Sequence, residues 1–475
     1  ENPNTSNGEA LLWTSEKMFW PILYTVLTTI CAFLSLIFSG IKPIIDFGWM
    51  MTVGLLVSMS ITFTLLPVTL NILSSQNINH REEKKSKITS FLSRVAQKNT
   101  KTIFTSAILV VIVSIIGITK LEVENSFINY FDKETEIYKG MKLIDKELGG
   151  TTPLNVIVKF PKKEESDEVD DDWGEEEKDD AKYWFTRDKI DRITQVHDYL
   201  DDLDSVGKVI SFASMVRVAE DLSGGKKLQG LEMGVLYTKI PDSIKEEIID
   251  PYISIENNEA RIGLRILDSK ENLRRNELIK KINHDLENEL GLGREEFKLA
   301  GLLILFNNLL QSLFKSQILT LGIVMAGITL MFFILFRNIS LSLIGVVPNF
   351  MAAFLILGII GLLGIPLDMM TITIAAITIG IAVDNSIHYI YRFKEEFKKI
   401  NDYNLTLEKC HDTVGVAILN TSITIVFGFS ILVLSNFIPT IYFGVFTGIA
   451  MLLAMISVLT LLPKLILTFK PFKNG

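Results

Sequence analysis

The sequence predicts a membrane α-helical bundle of about eight spans plus one extracytoplasmic α+β domain. Three observations predict it. The first is segregation. Of the 475 residues, 48% are hydrophobic and 21% charged, with a mean hydropathy of +0.33. The apolar residues gather in long runs between highly charged stretches, as in an integral membrane protein with a sizeable water-facing part. The second is that eight of these runs reach the roughly 20 residues needed to cross a bilayer. The third is that only one stretch of domain size, 120–315, lies outside them. A soluble cytosolic enzyme, a disordered chain and a small disulfide scaffold are excluded. Cys31 sits in an apolar run and Cys410 in a polar connector, so neither a disulfide framework nor a cysteine-ligated metal is expected. No cofactor is expected either.

The spans run approximately 18–39, 47–73, 102–119, 316–336, 340–364, 368–391, 413–435 and 440–468. Lysine and arginine set their direction. The linker 74–101 carries Arg81, Lys84, Lys85, Lys87, Arg94, Lys98 and Lys101. The loop after the sixth span carries Arg392, Lys394, Lys398, Lys399 and Lys409, Arg337 follows the fourth, and Lys470 and Lys473 lie in the tail 469–475. Simple alternation puts all of them on one side, the cytoplasmic one. The 120–315 domain and the loops 40–46, 364–367 and 436–439 then face outward. The opening ENPNTSNGEA is polar and enters the membrane at once, which does not read as a cleavable signal peptide.

The first two spans match the last two at a constant offset without a gap. Thr25 pairs with Thr421, Thr28 with Thr424, Phe33 with Phe429, Ser39 with Ser435 and Pro43 with Pro439. Phe47-Gly48 pairs with Phe443-Gly444, and Thr64-Leu65-Leu66-Pro67 with Thr460-Leu461-Leu462-Pro463. The repeating unit is one span, an outer domain, then five spans. Residues 102–468 hold a whole unit, and 1–73 the last two spans of an earlier one. Repeat logic places about 300 further residues upstream. Repeats of this kind are parallel, related by an axis along the membrane normal, an arrangement of transporters.

In the outer domain, 153–160 reads as a strand and 186–204 as a helix, with Ile190, Ile193, Val196, Tyr199 and Leu203 near helical spacing. A strand VGKVISF follows, then a Gly-broken helical stretch to about 250, a strand at 259–267, a charged helix at 271–290 and a short strand FKLAG. Strand–helix–strand used twice predicts an α+β domain with helices on one face of a mixed sheet. The helix 302–315 leads straight into the fourth span. The segment 164–180 carries twelve carboxylates. It lacks the calcium-loop spacing and reads as a solvated acidic insertion, 162–182. No nucleophile, zinc or phosphate-loop constellation is present, which argues against an enzyme. The basic loops read as topology signals, and nucleic-acid binding is not expected.

The sixth span holds the most informative residue. Asp384 follows fifteen uncharged residues and lies well inside the span. An ionised carboxylate in hydrocarbon costs several kcal/mol, so it must be paired, protonated or facing a wet cavity. Thr373, Ala376 or Ile377, Gly380, Asp384 and His388 form one stripe at spacings of three and four, small enough for another helix to approach closely. The seventh span offers Asn420, Thr421, Thr424 and Gly428, and the first offers Tyr24, Thr25 and Thr28. Asp384 is expected to face these residues and to load and release protons. The alternative is a permanently neutral acid that locks helices together. Asn385 is a hydrogen-bonding partner, and His388 is either an extension of a relay or a surface histidine one turn nearer the interface. Pro348 is expected to kink the fifth span.

The run GIPLDMMTITIAAITIGIAVDNSIHYIYRFKEE, 364–396, resembles the fourth-span motif of the RND superfamily, closest to its MMPL-type, sterol-sensing-domain-like exporters. The repeated pair of spans with Ser, Pro, Phe-Gly and Leu-Leu-Pro is similar to the same family, as is one span, a porter domain, then five spans. The resemblance covers 1–470. It implies a proton-motive-force-driven exporter of two homologous halves, with ferredoxin-like porter subdomains and a relay aspartate, here Asp384. Asn385 stands where relatives often carry Asp or Tyr. The partner acid would lie in the upstream copy. The resemblance further implies hydrophobic or lipid-like cargo, membrane lipids and protons as partners, a prokaryotic cytoplasmic membrane and, in some members, homo-oligomers. A non-transporting lipid sensor or scaffold is the competing reading. An accessory motor for protein export uses motifs that this sequence lacks.

Overall fold

Long apolar runs satisfy their own backbone hydrogen bonds inside a membrane only as helices, and the chain follows that constraint. The computed structural model describes residues 7–73, 86–123, 126, 128–161, 184–228, 230–270, 273–368 and 370–472. It divides into two compact units, one of residues 1–125 and 310–475, the other of residues 126–309. The acidic insertion, Arg81, Lys84, Lys85 and Lys473 lie outside the described residues.

The membrane unit begins with α1 (Asn7–Ser35), which tightens into a 3-10 turn, Leu36–Ser39, and α2 (Lys42–Leu73). The basic linker contains a helix not foreseen from the sequence, α3 (Lys87–Lys98), followed by α4 (Thr100–Ile118).

The outer unit holds α5 (Glu136–Glu147), β1 (Thr152–Lys159), α6 (Arg187–Asp201), β2 (Val206–Ile210), α7 (Phe212–Leu222), α8 (Gly230–Lys239) and α9 (Asp242–Ile248). It continues with β3 (Ile253–Ser254), β4 (Glu259–Ile266), α10 (Arg275–Asn288) and β5 (Phe297–Ala300). The strands run in the order β2-β4-β1-β5, with β3 against β4, and every pair is antiparallel. The expected mixed sheet is therefore corrected. Each βαβ half leaves a gap between its strands that a strand of the other half fills in the opposite direction. This interleaving is the ferredoxin-like split βαβ arrangement. Alternation decides the faces: Leu154, Val156 and Val158 of β1 and Ala260, Ile262, Leu264 and Ile266 of β4 are buried with Ile190, Ile193 and Val196 of α6 and Ile282 and Leu286 of α10.

Two buried acids hold the start of this unit. The Asp145 carboxylate accepts from the Thr151 amide (2.9 Å) and hydroxyl (2.8 Å) and from the amides of Asp268 (2.9 Å) and Ser269 (2.9 Å). Burial is the strongest single influence and pushes its pKa up, but these donors together hold it below the usual value. Asp268 forms a buried ion pair with Arg275 and accepts from the Ser126 hydroxyl at 2.7 Å.

The chain then forms α11 (Leu302–Phe336), α12 (Ile339–Leu362), a 3-10 turn Thr371–Thr373, α13 (Ile374–Ile400), α14 (Tyr403–Asp412), α15 (Val414–Ser430), a 3-10 turn Ile431–Leu434 and α16 (Ile438–Phe469). Among the described residues eight helices are long and apolar enough to cross a membrane: α1, α2, α4, α11, α12, α13, α15 and α16. Pro348 lies inside α12 and is buried. Around α13 pack α1, α12, α14 and α16, with α15 touching it over a shorter stretch.

The two hairpins α1–α2 and α15–α16 are built alike. The Ser39 hydroxyl accepts from the Ile41 amide (3.3 Å), and Ser435 from Phe437 (3.1 Å). Phe33 and Phe47 meet edge to face at 5.9 Å, and so do Phe429 and Phe443 at 5.9 Å. A Cβ on Gly48 would stand 2.6 Å from the Phe33 carbonyl oxygen, and one on Gly444 2.6 Å from that of Phe429.

Candidate functional site

Helix α13 is polar toward each neighbour, and consecutive residues serve different ones because each step turns the helix by about 100°. Toward α1 it presents Asp384, which is partly buried. The Thr29 hydroxyl lies 3.4 Å from Asp384 Oδ1, and the nearby Thr28 hydroxyl bonds back to the Thr25 carbonyl of its own helix at 2.8 Å. Gly380 lets the helices close: a Cβ there would stand 2.5 Å from that of Ala32. The Thr29 hydroxyl also reaches the Gly380 carbonyl at 3.3 Å. Among the described residues no cation lies within ion-pair distance of Asp384.

Toward α15, Asn385 donates to the Ser422 hydroxyl at 3.4 Å. Toward α12, Ser386 accepts from Asn349 at 2.9 Å. Toward α14, Tyr389 meets His411 at 3.2 Å. At the basic end Arg392 pairs with Glu396 at 3.0 Å, and Lys399 with the same carboxylate at 3.6 Å. At the other end Asp368 is buried and caps the 3-10 turn by accepting from the amides of Met370 (2.9 Å) and Thr371 (2.7 Å). Burial raises its pKa against those donors.

The structure thus brings Asp384 together with Thr28, and Thr25 lies buried one turn away on α1, its hydroxyl bonded to the Ile22 carbonyl at 2.8 Å. His388 is partly buried one turn toward the basic end. The seventh-span expectation needs correction. Asn420, Thr421 and Thr424 are exposed, and the two threonines bond back to their own helix, Thr421 to Ala417 and Thr424 to Asn420. The buried face of α15 is Gly415, Ile418, Leu419 and Ser422. Two polar stripes lie side by side on this helix, and spacing alone does not say which one turns inward. Sequence reasoning also missed Thr29, Ser422, Asn349 and His411. Thr29 had a signal, being one turn from Thr25 on the same face. His411 had none, because its partners come from three separate helices.

A helical bundle with an acid on its most enclosed span, in a chain that also carries a split βαβ domain, defines a multi-pass membrane protein with the fold of RND-type transporters. The chain belongs to the MMPL family, whose model matches residues 179–473. A protein of Methanocaldococcus jannaschii described as a membrane protein is 24% identical over 382 residues, covering 79% of this chain and 93% of that one. Among solved structures, the hedgehog release protein Disp of the water bear Hypsibius dujardini matches 94% of this chain with a TM-score of 0.60 at 14% identity. A heavy metal efflux pump matches 98% with a TM-score of 0.54 at 12% identity. SecDF of Thermus thermophilus, a translocon-associated membrane protein, matches 97% with a TM-score of 0.52 at 12% identity. At such identities the likeness is one of fold. The chain spans 58%, 60% and 50% of these three structures respectively.

Proposed function

We propose that this protein is a secondary-active transporter, driven by the proton-motive force, that exports or laterally transfers hydrophobic or lipid-like molecules at a prokaryotic cytoplasmic membrane. The observation that carries the reading is Asp384: a partly buried carboxyl inside a membrane span, beside threonine hydroxyls and, among the described residues, with no cation within ion-pair distance. An acid in such a place is most often part of a proton or ion pathway, and hydroxyls leave its charge uncompensated, so this reading takes it to load and release a proton. In this reading the positive-inside loops lie in the cytoplasm and the split βαβ domain outside it. Asn385 and His388 line the route of the proton.

The exposed stripe Asn420, Thr421 and Thr424 has a role in the same reading. Its repeat equivalents Thr25 and Thr28 lie on the helix face turned to the acid-bearing span. The stripe on α15 would face the equivalent span of a preceding copy of the repeat, which would supply a second acid. A homo-oligomer is compatible with this arrangement.

The test uses the full-length protein in liposomes of host lipid, with an imposed pH gradient and a lumenal pH dye. Wild type should carry protons and Asp384→Asn should not, with folding intact by size-exclusion profile. Absence of wild-type flux above empty liposomes, unchanged by the substitution, would favour a sterol-sensing-domain-like sensor or scaffold.

A further inference from the structure

At the basic end of the acid-bearing helix sits a histidine that the transport reading does not use. Asn401, with φ +58°, ends α13, and Asp402 starts α14 by accepting from the Leu405 amide at 2.8 Å. One short helix later His411 is fully buried. Its Nδ1 lies 3.2 Å from the Tyr389 hydroxyl on α13 and 3.0 Å from the Leu407 carbonyl oxygen. Its Nε2 lies 2.9 Å from the Leu459 carbonyl oxygen on α16. The imidazole therefore ties three helices together.

Hydrogen-bond valence decides its protonation states. A carbonyl cannot donate, so in the neutral ring Nε2 must carry the hydrogen and give it to Leu459. Nδ1 then holds a lone pair, and the only donor near it among the described residues is the Tyr389 hydroxyl. In the protonated ring Nδ1 also carries a hydrogen and gives it to the Leu407 carbonyl. The Tyr389 oxygen can then only accept from the ring, and its own hydrogen must turn away. Both states give each ring nitrogen a partner, and the Leu407 carbonyl oxygen, 3.0 Å from Nδ1, gains a ring donor only in the protonated one, so the site accepts a proton without opening.

We propose that His411 is a positioning residue that responds to the pH of the basic side, its protonation reversing the hydrogen bond to Tyr389 and so altering how the base of the acid-bearing helix is held. The proposal rests on the transport reading for its consequence, not for its chemistry. The proton comes from water on the basic side, joins Nδ1 and leaves by the same route.

The ionisable surroundings are few. From α13 come Tyr389 and, acting on the neighbouring Cys410, Arg392 and Glu396. On its own helix Asp412 favours the charged ring, and burial pushes the Cys410 thiol up to about 12, leaving it neutral. Helix α15 has no ionisable side chain. From α16, Lys464 gives its ammonium to the Gln97 carbonyl at 3.2 Å. Helix α3 brings Lys87, Arg94 and Lys98, with Arg94 bonded to its own backbone at Ser90. Burial outweighs the two carbonyls and Asp412 and moves the imidazole to the acid side of the usual histidine range.

Two measurements on the full-length protein test this. Histidine C2-hydrogen exchange read by mass spectrometry should give His411 a midpoint below 6.5 in wild type. Tyr389→Phe should raise that midpoint, because the neutral ring loses its only donor. In liposomes, flux measured against the pH of the basic side should show an inflection at the same midpoint, and His411→Gln should retain flux but lose the inflection. A midpoint at or above 6.5, or no titration over the pH range in which the protein stays folded, overturns the proposal. So does a His411→Gln variant that lowers flux by one factor at every pH with the inflection unchanged. Loss of wild-type flux would sink the transport reading alone, and the exchange data would still decide whether His411 switches. If His411→Gln fails to fold, the shift in Tyr389→Phe decides.

Discussion

The hairpins α1–α2 and α15–α16 carry matching residues at many positions of the repeat and fold alike, yet their polar stripes meet different surroundings. Thr25, Thr28 and Thr29 are buried, with Thr29 on the Asp384 carboxyl. Thr421 and Thr424 are exposed, and nothing lies within 4 Å of where a Cβ on Gly428 would stand. The internal packing of a hairpin, the Phe pair and the close contact at Gly48 or Gly444, depends only on residues within it. The partner of its stripe depends on which acid-bearing helix is present. Shape is local here, and the surroundings of the acid are assembled between repeats.

The largest expected effect breaks the comparison at its centre. Asp384→Asn should lower proton flux by tenfold or more, whereas a valine at Thr424 should do so only if that stripe serves a second acid in the full protein. Next comes Gly380→Val. It drives a side chain into Ala32 and should destabilise the protein by about 1–3 kcal/mol, read by thermal unfolding in detergent. Gly428→Val should cost far less unless a preceding copy covers that face, in which case the two should match.

Gly48→Ala and Gly444→Ala should each cost about 1 kcal/mol, the lower end of the overpacking range, because each Cβ meets a backbone carbonyl at the same distance. Unequal costs would mean that the hairpins are less alike than their geometry. Thr29→Val removes a hydroxyl shared among the Thr25 and Gly380 carbonyls and the Asp384 carboxyl, worth about 0.5–1.5 kcal/mol, at a position where the other hairpin carries Ile425. It should reduce flux several-fold, and Ile425→Thr should leave flux unchanged.

The smallest effect lies outside both hairpins. His197 is buried beside Ser211 (Nδ1 to Oγ 2.9 Å), and burial, then Arg217, lowers its pKa from 6.5. A histidine depressed in the fold contributes stability that is whole above 6.5 and lost as pH falls through its folded pKa. Amide exchange in α6, corrected for intrinsic rate, should therefore show less protection at pH 5 than at pH 7.5. His197→Gln should remove that difference.

Much of the architecture was legible in the sequence because its signals are local. Apolar runs set the spans to within a few residues at most ends, and alternation in PLNVIVKF and EARIGLRIL set β1 and β4. The short helix α3 escaped because a charged linker outside the apolar runs reads as a topology signal before its amphipathic pattern is noticed. The antiparallel sheet escaped because a strand's direction is set by its neighbours. Within the site, Asp384 announced itself by the cost of a carboxyl in hydrocarbon, and Thr28 by its place on a small polar stripe. His411 lay in a connector with nothing to mark it.

By itself the sequence determined eight spans, the repeat, an outer α+β domain and an acid deep inside a span, since hydropathy, periodicity and desolvation act residue by residue. Only the tertiary structure decided that Ser422 turns inward while Thr421 turns away, that Thr29 reaches the carboxyl, and that one imidazole bonds three helices. Those facts depend on how each helix is rotated about its axis, and that rotation is fixed by packing against partners distant in the chain.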